Sequence, residues 1–190
     1  VLNKWLAEEE KIKQKAHKPK PYQRAEYPGQ KIQIDVKYVP SYCVSNGKKY
    51  YQYTAIDECT RVVFREIYDE HSTYSSTDFL MKLIHAFRFP IREVQTDNGT
   101  EFTDFAQLEQ WGTKVYFAHP YSSWERAQNE RHNRIFREFV PKGRPICSYS
   151  ADYILEASDR MNATPRKSLD YHTPEELFDQ FLDQVYSTAA

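Results

Sequence analysis

The chain has 190 residues with 40% hydrophobic and 15% aromatic content, enough for one domain with a sizeable core, which excludes a mini-protein held together by staples. Only 5 Gly and 10 Pro, with 28% charged residues spread along the chain, exclude a long disordered or low-complexity tract. A formal net charge of −1 excludes a surface that grips nucleic acid all over but allows a local basic patch: "KIKQKAHKPKP" near the start is Lys-rich, whereas acids outnumber bases from Asp152 onward.

Cys43, Cys59 and Cys147 are odd in number and far apart, without paired metal-ligand spacing, so a disulfide framework or zinc site is not expected and reduced thiols are. No apolar run reaches the roughly 20 residues of a membrane helix, and no signal-peptide core opens the chain, which points to a soluble intracellular protein without a membrane partner. Residues 1–15 suit an amphipathic helix leading into a basic linker, read as a connector from an N-terminal domain that precedes Val1. "KIQIDVKYV" alternates Ile32, Ile34, Val36 and Tyr38 against Lys31, Gln33, Asp35 and Lys37, a period-two strand with Asp35 on its polar face.

"YYQYTAID" and "RVVFREIY" follow as second and third strands of an antiparallel meander. "STYSSTDFLMKLIHAF" opens with capping residues and sets Phe79, Leu80, Leu83, Ile84 and Phe87 at helical spacing, so a helix should pack on that sheet. "IREVQT" is a short strand, "TDFAQLEQWG" a short helix closed by Gly112, and "TKVYFA" a fifth strand. "SSWERAQNERHNRIFREFV" is a longer helix ending before Pro141. In "TPEELFDQFLDQVY", Thr173, Pro174 and Glu176 occupy the N-cap, N1 and N3 positions of a capping box. Three strands, helix, strand, helix, strand and further helices imply an α/β layer fold with a five-stranded mixed sheet flanked by helices.

The chemistry centres on "EVQTDNGTEF". Asn-Gly between apolar residues is a strong hairpin signal, but the residues after it start a helix rather than a partner strand. The turn then reads as a strand-to-helix junction, with Gly99 free to take unusual dihedrals and Asp97 left at the carboxyl end of a strand. Asp35 is a second acid, and Glu130 a third: at about 100° per residue, Arg126, Glu130, Asn133, Arg134 and Arg137 share one stripe of the long helix, opposite Ile135, Phe136 and Phe139. A solvated face with ordinary acid–base pairs explains that stripe as well.

Together, "IDVKYV", "TDNGTEF" and "PYSSWERAQNERHNRIFREFVPKG" resemble the integrase core of bacterial insertion-sequence transposases, related to retroviral integrases. The resemblance runs from about Gln30 to Phe181 and includes "NATPRKSLDYHTPEELF"; the 32 residues between Asp97 and Glu130 are close to that family's spacing. It implies a ribonuclease H-like fold in which Asp35, Asp97 and Glu130 meet as catalytic residues and metal ligands, and a domain over 30–190 with C-terminal helices. Residues 1–29 would then be the helical, basic linker from a DNA-binding domain. Three hard oxygen donors suit Mg²⁺ or Mn²⁺, two ions being able to stabilise both attacking and leaving oxygens at phosphorus.

The implied reaction is cleavage at a transposon end and then attack of the freed 3′ hydroxyl on target DNA, in a homo-oligomer assembled on DNA in the bacterial cytoplasm, at the nucleoid. Lys37, Asn98, Arg126, Arg134 and Arg137 are the candidate DNA contacts, Asn98 alternatively ordering its turn and the long basic chains alternatively packing by their stems. A nuclease of this fold that only hydrolyses, and an inactive DNA-binding module, are the alternatives. Of rival acids, Asp57 reads as a turn former, Glu125 as a helix-start acid and Glu101 as unmatched to the motif. The histidines show no ligand spacing; His119 borders the candidate site, and Tyr121 and Trp124 suit either base stacking or helix packing.

Overall fold

The computed structural model describes residues 24–39, 49–96, 112–117, 127–141 and 149–188. The expected helix over 1–15 with its basic linker, the short helix before Gly112, Cys43 and Cys147 lie outside the described residues.

Strand β1 (Ile32–Val39) pairs antiparallel with β2 (Tyr50–Asp57), Ile32 opposite Asp57 and Val39 opposite Tyr50. β2 pairs antiparallel in turn with β3 (Val63–Tyr68). On the other edge of β1, β4 (Glu93–Thr96) runs parallel, with β5 (Lys114–Phe117) parallel outside it, so the sheet order is β3-β2-β1-β4-β5. The five-stranded mixed sheet and the antiparallel meander are as the alternation implied. β1, the first strand in sequence, is the central one.

Helices cover both faces. Helix α1 (Thr73–Phe87) connects β3 to β4; the Ser72 hydroxyl caps it by accepting from the Ser75 amide at 3.2 Å. Its Phe79, Leu80, Leu83 and Phe87 meet Ile32, Ile34, Tyr53, Ala55 and Val94 in one core. Ile84, expected on that face, is exposed, because the helix rests on the sheet through a narrower stripe. The opposite face is covered by α2 (Ala127–Phe139) and α3 (Ala151–Asn162), whose Phe136, Ile154, Ala157 and Met161 close a second core over Ile56 and Val63. Each fully buried large apolar side chain contributes about 1.5–3 kcal/mol, so the two cores dominate stability.

Helix α4 (Pro174–Thr188) starts with the capping box read from the sequence: the Glu176 amide donates to the Thr173 hydroxyl at 3.0 Å, and the Thr173 amide donates to the Glu176 carboxylate at 2.8 Å. Helix α3 is one of the further helices expected at the C-terminal end. Gly112 has the positive φ of a helix-closing glycine, 83°. No helix among the described residues is long and apolar enough to cross a membrane.

Candidate active site

Covering both faces changes the meaning of the polar side of β1. Gln33 and Asp35 alternate with Ile32 and Ile34, yet they are buried too, Asp35 being only 8% exposed, because α2 packs across β1 on their side. Asp35 lies opposite Thr54 of β2, which lies opposite Arg65 of β3, so a polar row crosses three strands beneath the helices. The Lys37 ammonium stands 3.9 Å from the Asp35 carboxylate, on a side chain that remains 42% exposed. A partly exposed pair of this length is worth well under 1 kcal/mol, so it does not lock either group.

The parallel register pairs Gln33 with Gln95. Asp35 is two residues beyond Gln33, as Asp97 is two beyond Gln95 in the sequence. β4 ends at Thr96, a fully buried residue whose hydroxyl has no hydrogen-bond partner among the described residues. Asp97, Asn98 and Gly99 come next and lie outside the described residues, as do Glu101, Glu125, Arg126, His119, Tyr121 and Trp124.

Helix α2 carries the third acid. Asn129, His132 and Phe136 form its buried side, while Glu130, Arg134 and Arg137 are exposed and Asn133 is half-buried, as helical spacing implied. Glu130 sits in the first turn, where the helix dipole favours a carboxylate. The fold therefore brings Asp35 and Glu130 onto two elements packed together, with Arg134 and Arg137 on the exposed side of the helix and Lys37 beside Asp35.

Asp57 has the turn role expected of it. Its buried carboxylate accepts from the Gly29, Cys59 and Thr60 amides and from the Thr60 hydroxyl, at 2.7–3.1 Å. Burial raises its pKa above the usual carboxylate value, and those donors pull it back. Glu58, equally buried, accepts from Gln33 and faces the Lys31 ammonium at 3.4 Å. Cys59 is buried beside this turn; desolvation, with the Asp57 charge, pushes its thiol up to about 11, so it is inert at neutral pH.

Sequence reasoning missed a set of buried cationic and imidazole groups. The His132 ring is 1% exposed; its Nδ1 lies 2.8 Å from the Gln128 carbonyl, and its Nε2 receives an N–H from Arg166 at 2.6 Å. That network assigns the neutral Nδ1–H tautomer. The Arg61 carbonyl, 3.3 Å from Nε2, then faces a nitrogen with no proton to donate. Burial, with Arg166 beside it, drops the His132 pKa to about 3. Arg65 lies beneath α2 with its guanidinium 4.4 Å from the Phe136 ring centroid, donating to the Ser158 hydroxyl at 2.8 Å. Among the described residues its Nε and Nη2 have no hydrogen-bond partner, and burial lowers its pKa to about 9. The available signal was alternation: Arg65 falls between Val63 and Ile67 on the inward side of β3.

Among the described residues no group of three His, Cys, Asp or Glu is placed to hold a metal ion. The described donors, two carboxylates without a thiolate or imidazole beside them, fit hard divalent cations that prefer oxygen.

Comparison with known proteins agrees with this architecture. The chain is 33% identical over 129 residues to a "Probable transposase for insertion-like sequence element IS1161" of Streptococcus salivarius, covering 66% of this chain and 36% of that one. It is 38% identical over 95 residues to the transposase for insertion sequence element IS4351 of Bacteroides fragilis, covering 50% and 29%. The chain thus spans about a third of the length of these curated relatives. Among solved structures, a chain of the simian T-cell lymphotropic virus intasome superposes with a TM-score of 0.68 at 16% identity, over 85% of this chain and 59% of that one. The integrase catalytic core domain of HTLV-2 in complex with magnesium gives 0.63 at 18%, over 80% and 98%. At such identities the likeness shows the fold, which is ribonuclease H-like. The profile of the Integrase core domain family matches residues 25–123, more than half of the chain, and to that family the chain belongs.

Proposed function

We propose that this chain is the catalytic core of a DDE-type DNA transposase, which cleaves at a transposon end to free a 3′ hydroxyl and joins that hydroxyl to target DNA. The observation that carries the reading is a carboxylate, Asp35, buried at the centre of the family's sheet on the face that α2 covers, with Glu130 on that helix. The register argument supports the third member: Asp97 follows Thr96 and stands as far beyond Gln95 as Asp35 does beyond Gln33.

In this proposal Asp35, Asp97 and Glu130 hold two divalent ions, Mg²⁺ or Mn²⁺. Bound there, such ions supply Lewis-acid stabilisation of the attacking and leaving oxygens at phosphorus. The protein's own groups do the rest. Burial of Asp35 keeps its carboxylate in a low-dielectric setting, where attraction to a cation is stronger than in water. Lys37, Arg134 and Arg137, with Arg126 and Asn98, contact phosphates and hold the scissile bond in register. The partners are transposon-end and target DNA and, on that DNA, further copies of this chain, in the bacterial cytoplasm at the nucleoid. Residues 1–29 act as the link to an end-specific DNA-binding unit, so the core alone should grip DNA weakly.

Calorimetric Mn²⁺ titration of the wild type and Asp35→Asn, with and without duplex DNA, is the direct test, with product analysis of Asp97→Asn as the second arm. Loss of a metal ligand should cost at least about 100-fold in activity, the upper range for merely outer-shell changes, while circular dichroism stays unchanged. Cleaved but unjoined products would remove strand transfer from the proposal. Metal binding indifferent to Asp35 in the presence of DNA would overturn it.

A further inference from the structure

The segment "NATPRKSLDYHTPEELF", which joins α3 to α4, is held by hydrogen bonds of its own. The Arg166 amide donates to the His172 carbonyl at 3.1 Å, and the Arg166 carbonyl accepts from the Leu169 and Tyr171 amides at 2.8 and 3.0 Å. Asp170 and Tyr171 take left-handed φ values of 53° and 67°, which non-glycine residues hold only where their surroundings over-determine them. At the start of the segment the Asn162 side chain brackets the Val63 backbone of β3, and at its end Thr173 and Glu176 cap α4. The Arg166 backbone is thereby fixed relative to the sheet.

From there the Arg166 side chain, buried at 8% exposure, reaches α2. Its guanidinium donates to the Met161 carbonyl at 3.0 Å and to Nε2 of His132 at 2.6 Å, and a planar fork on two fixed acceptors has little freedom to turn. On the helix side, Nδ1 of the same ring bonds the Gln128 carbonyl at 2.8 Å, so the imidazole is tied to positions 128 and 132, which bracket Glu130. Glu130 lies in the first turn of α2, where backbone amides lack intrahelical partners and helices fray. Of the two buried polar side chains beside it, Asn129 has no hydrogen-bond partner among the described residues, so His132 carries the directional tie. Phe136, a turn further on, packs in the second core, but apolar packing is non-directional: it sets how near the helix lies to the sheet rather than its roll.

We propose that Arg166 is a positioning residue for Glu130: acting through His132, it fixes the roll of α2 and so the direction in which the Glu130 carboxylate is presented to a divalent ion. The inference rests on the reading of Glu130 as a metal ligand, and it gives the segment between α3 and α4 a part in a site that Arg166 does not touch. At the roughly 5–6 Å radius of a helix with its side chains, a roll of about 10° moves a side-chain end by about 1 Å. That is about twice the tolerance of about 0.5 Å within which a working ligand set must be held.

The test is the Mn²⁺ affinity of the full 190-residue chain in the presence of duplex DNA, measured by calorimetry beside urea unfolding, for Arg166→Met, His132→Phe and the double variant. Each single variant leaves its partner buried and unsatisfied, so both should lose stability and bind Mn²⁺ about 10-fold more weakly than wild type. In the double variant two apolar side chains replace the pair. Its stability should recover above that of either single variant, while its Mn²⁺ affinity stays about 10-fold low, because an apolar contact holds no direction. Leu83→Ala, in the core on the other face of the sheet, should lose stability with Mn²⁺ affinity unchanged. Affinity that recovers together with stability in the double variant, or stays at the wild-type value in the single ones, would overturn the positioning role and leave the transposase reading intact. If the wild type itself binds no Mn²⁺ with DNA, the catalytic reading falls instead, and amide hydrogen exchange at Arg131 and His132 decides the tie. Exchange about 10-fold faster in Arg166→Met than in wild type would support it, and unchanged exchange would overturn it.

Discussion

His132 stands two residues from Glu130, yet nothing in its spacing marks it as different from the five other histidines; burial does. Because its pKa is about 3 in the folded chain and 6.5 ordinarily, the unfolded chain binds a proton between those values that the folded chain does not. Stability from this group is therefore complete above about pH 6.5 and is lost as the pH falls, by about 1.4 kcal/mol per unit. His132→Gln keeps an oxygen for Arg166 and removes the titration. Between pH 7 and pH 5 the urea-unfolding free energy of the wild type should fall by about 2 kcal/mol more than that of the variant. Equal losses in both would mean that the imidazole is protonated in the folded state and that the Arg166 contact is made differently. Arg65 and Arg166 escaped the sequence reading for the same reason: an arginine's pattern in sequence is that of a surface residue, and only the packing of α2 and α3 over β3 shows it enclosed.

At the scale of elements, periodicity did most of the work. The alternation in β1 to β3, the apolar spacing of α1 and the capping box of α4 were all legible because each is a local rule satisfied by neighbours in sequence. The ties between elements were not legible, and Gly29 is the clearest of them. Its amide donates to Asp57 at the β2–β3 turn, and its carbonyl accepts from the Arg92 amide at 2.7 Å on the way into β4. Its φ is 81°, and a Cβ there would fall on the Pro90 carbonyl oxygen. Gly29→Ala thus carries a left-handed backbone cost and a backbone clash together, on the order of 2 kcal/mol or more. Thermal unfolding should show a drop of several degrees, whereas Gly112→Ala, with open space around its would-be Cβ, pays the conformational cost alone. Similar losses at both positions would show that the close approach to Pro90 relaxes freely.

For the molecule as a whole, the sequence supplied the identity of the candidate acids but not their setting. Asp35 and Glu130 could be singled out as candidates from short blocks of sequence; that both sheet faces are covered, making Asp35 a buried group, depends on segments more than 90 residues away. The family match ends at residue 123, yet the second core needs Ile154, Ala157 and Met161 of α3, and the Asn162 side chain both accepts from and donates to the Val63 backbone, at 2.8 and 2.9 Å. Helix α3 and Phe178 of α4 thus pack into the two cores. Deleting everything after Pro141 would leave Ile56, Val63 and Phe136 uncovered and strip Arg65 of the Ser158 hydroxyl and the Met161 sulfur it uses. Such a chain should bind a hydrophobic dye, lose near-ultraviolet circular dichroism and unfold without a cooperative transition, because one of two cores is gone. If instead it melts sharply with dispersed side-chain signals, the first core is self-sufficient, and α3 serves to shape the α2 face that carries Glu130 rather than to hold the sheet together.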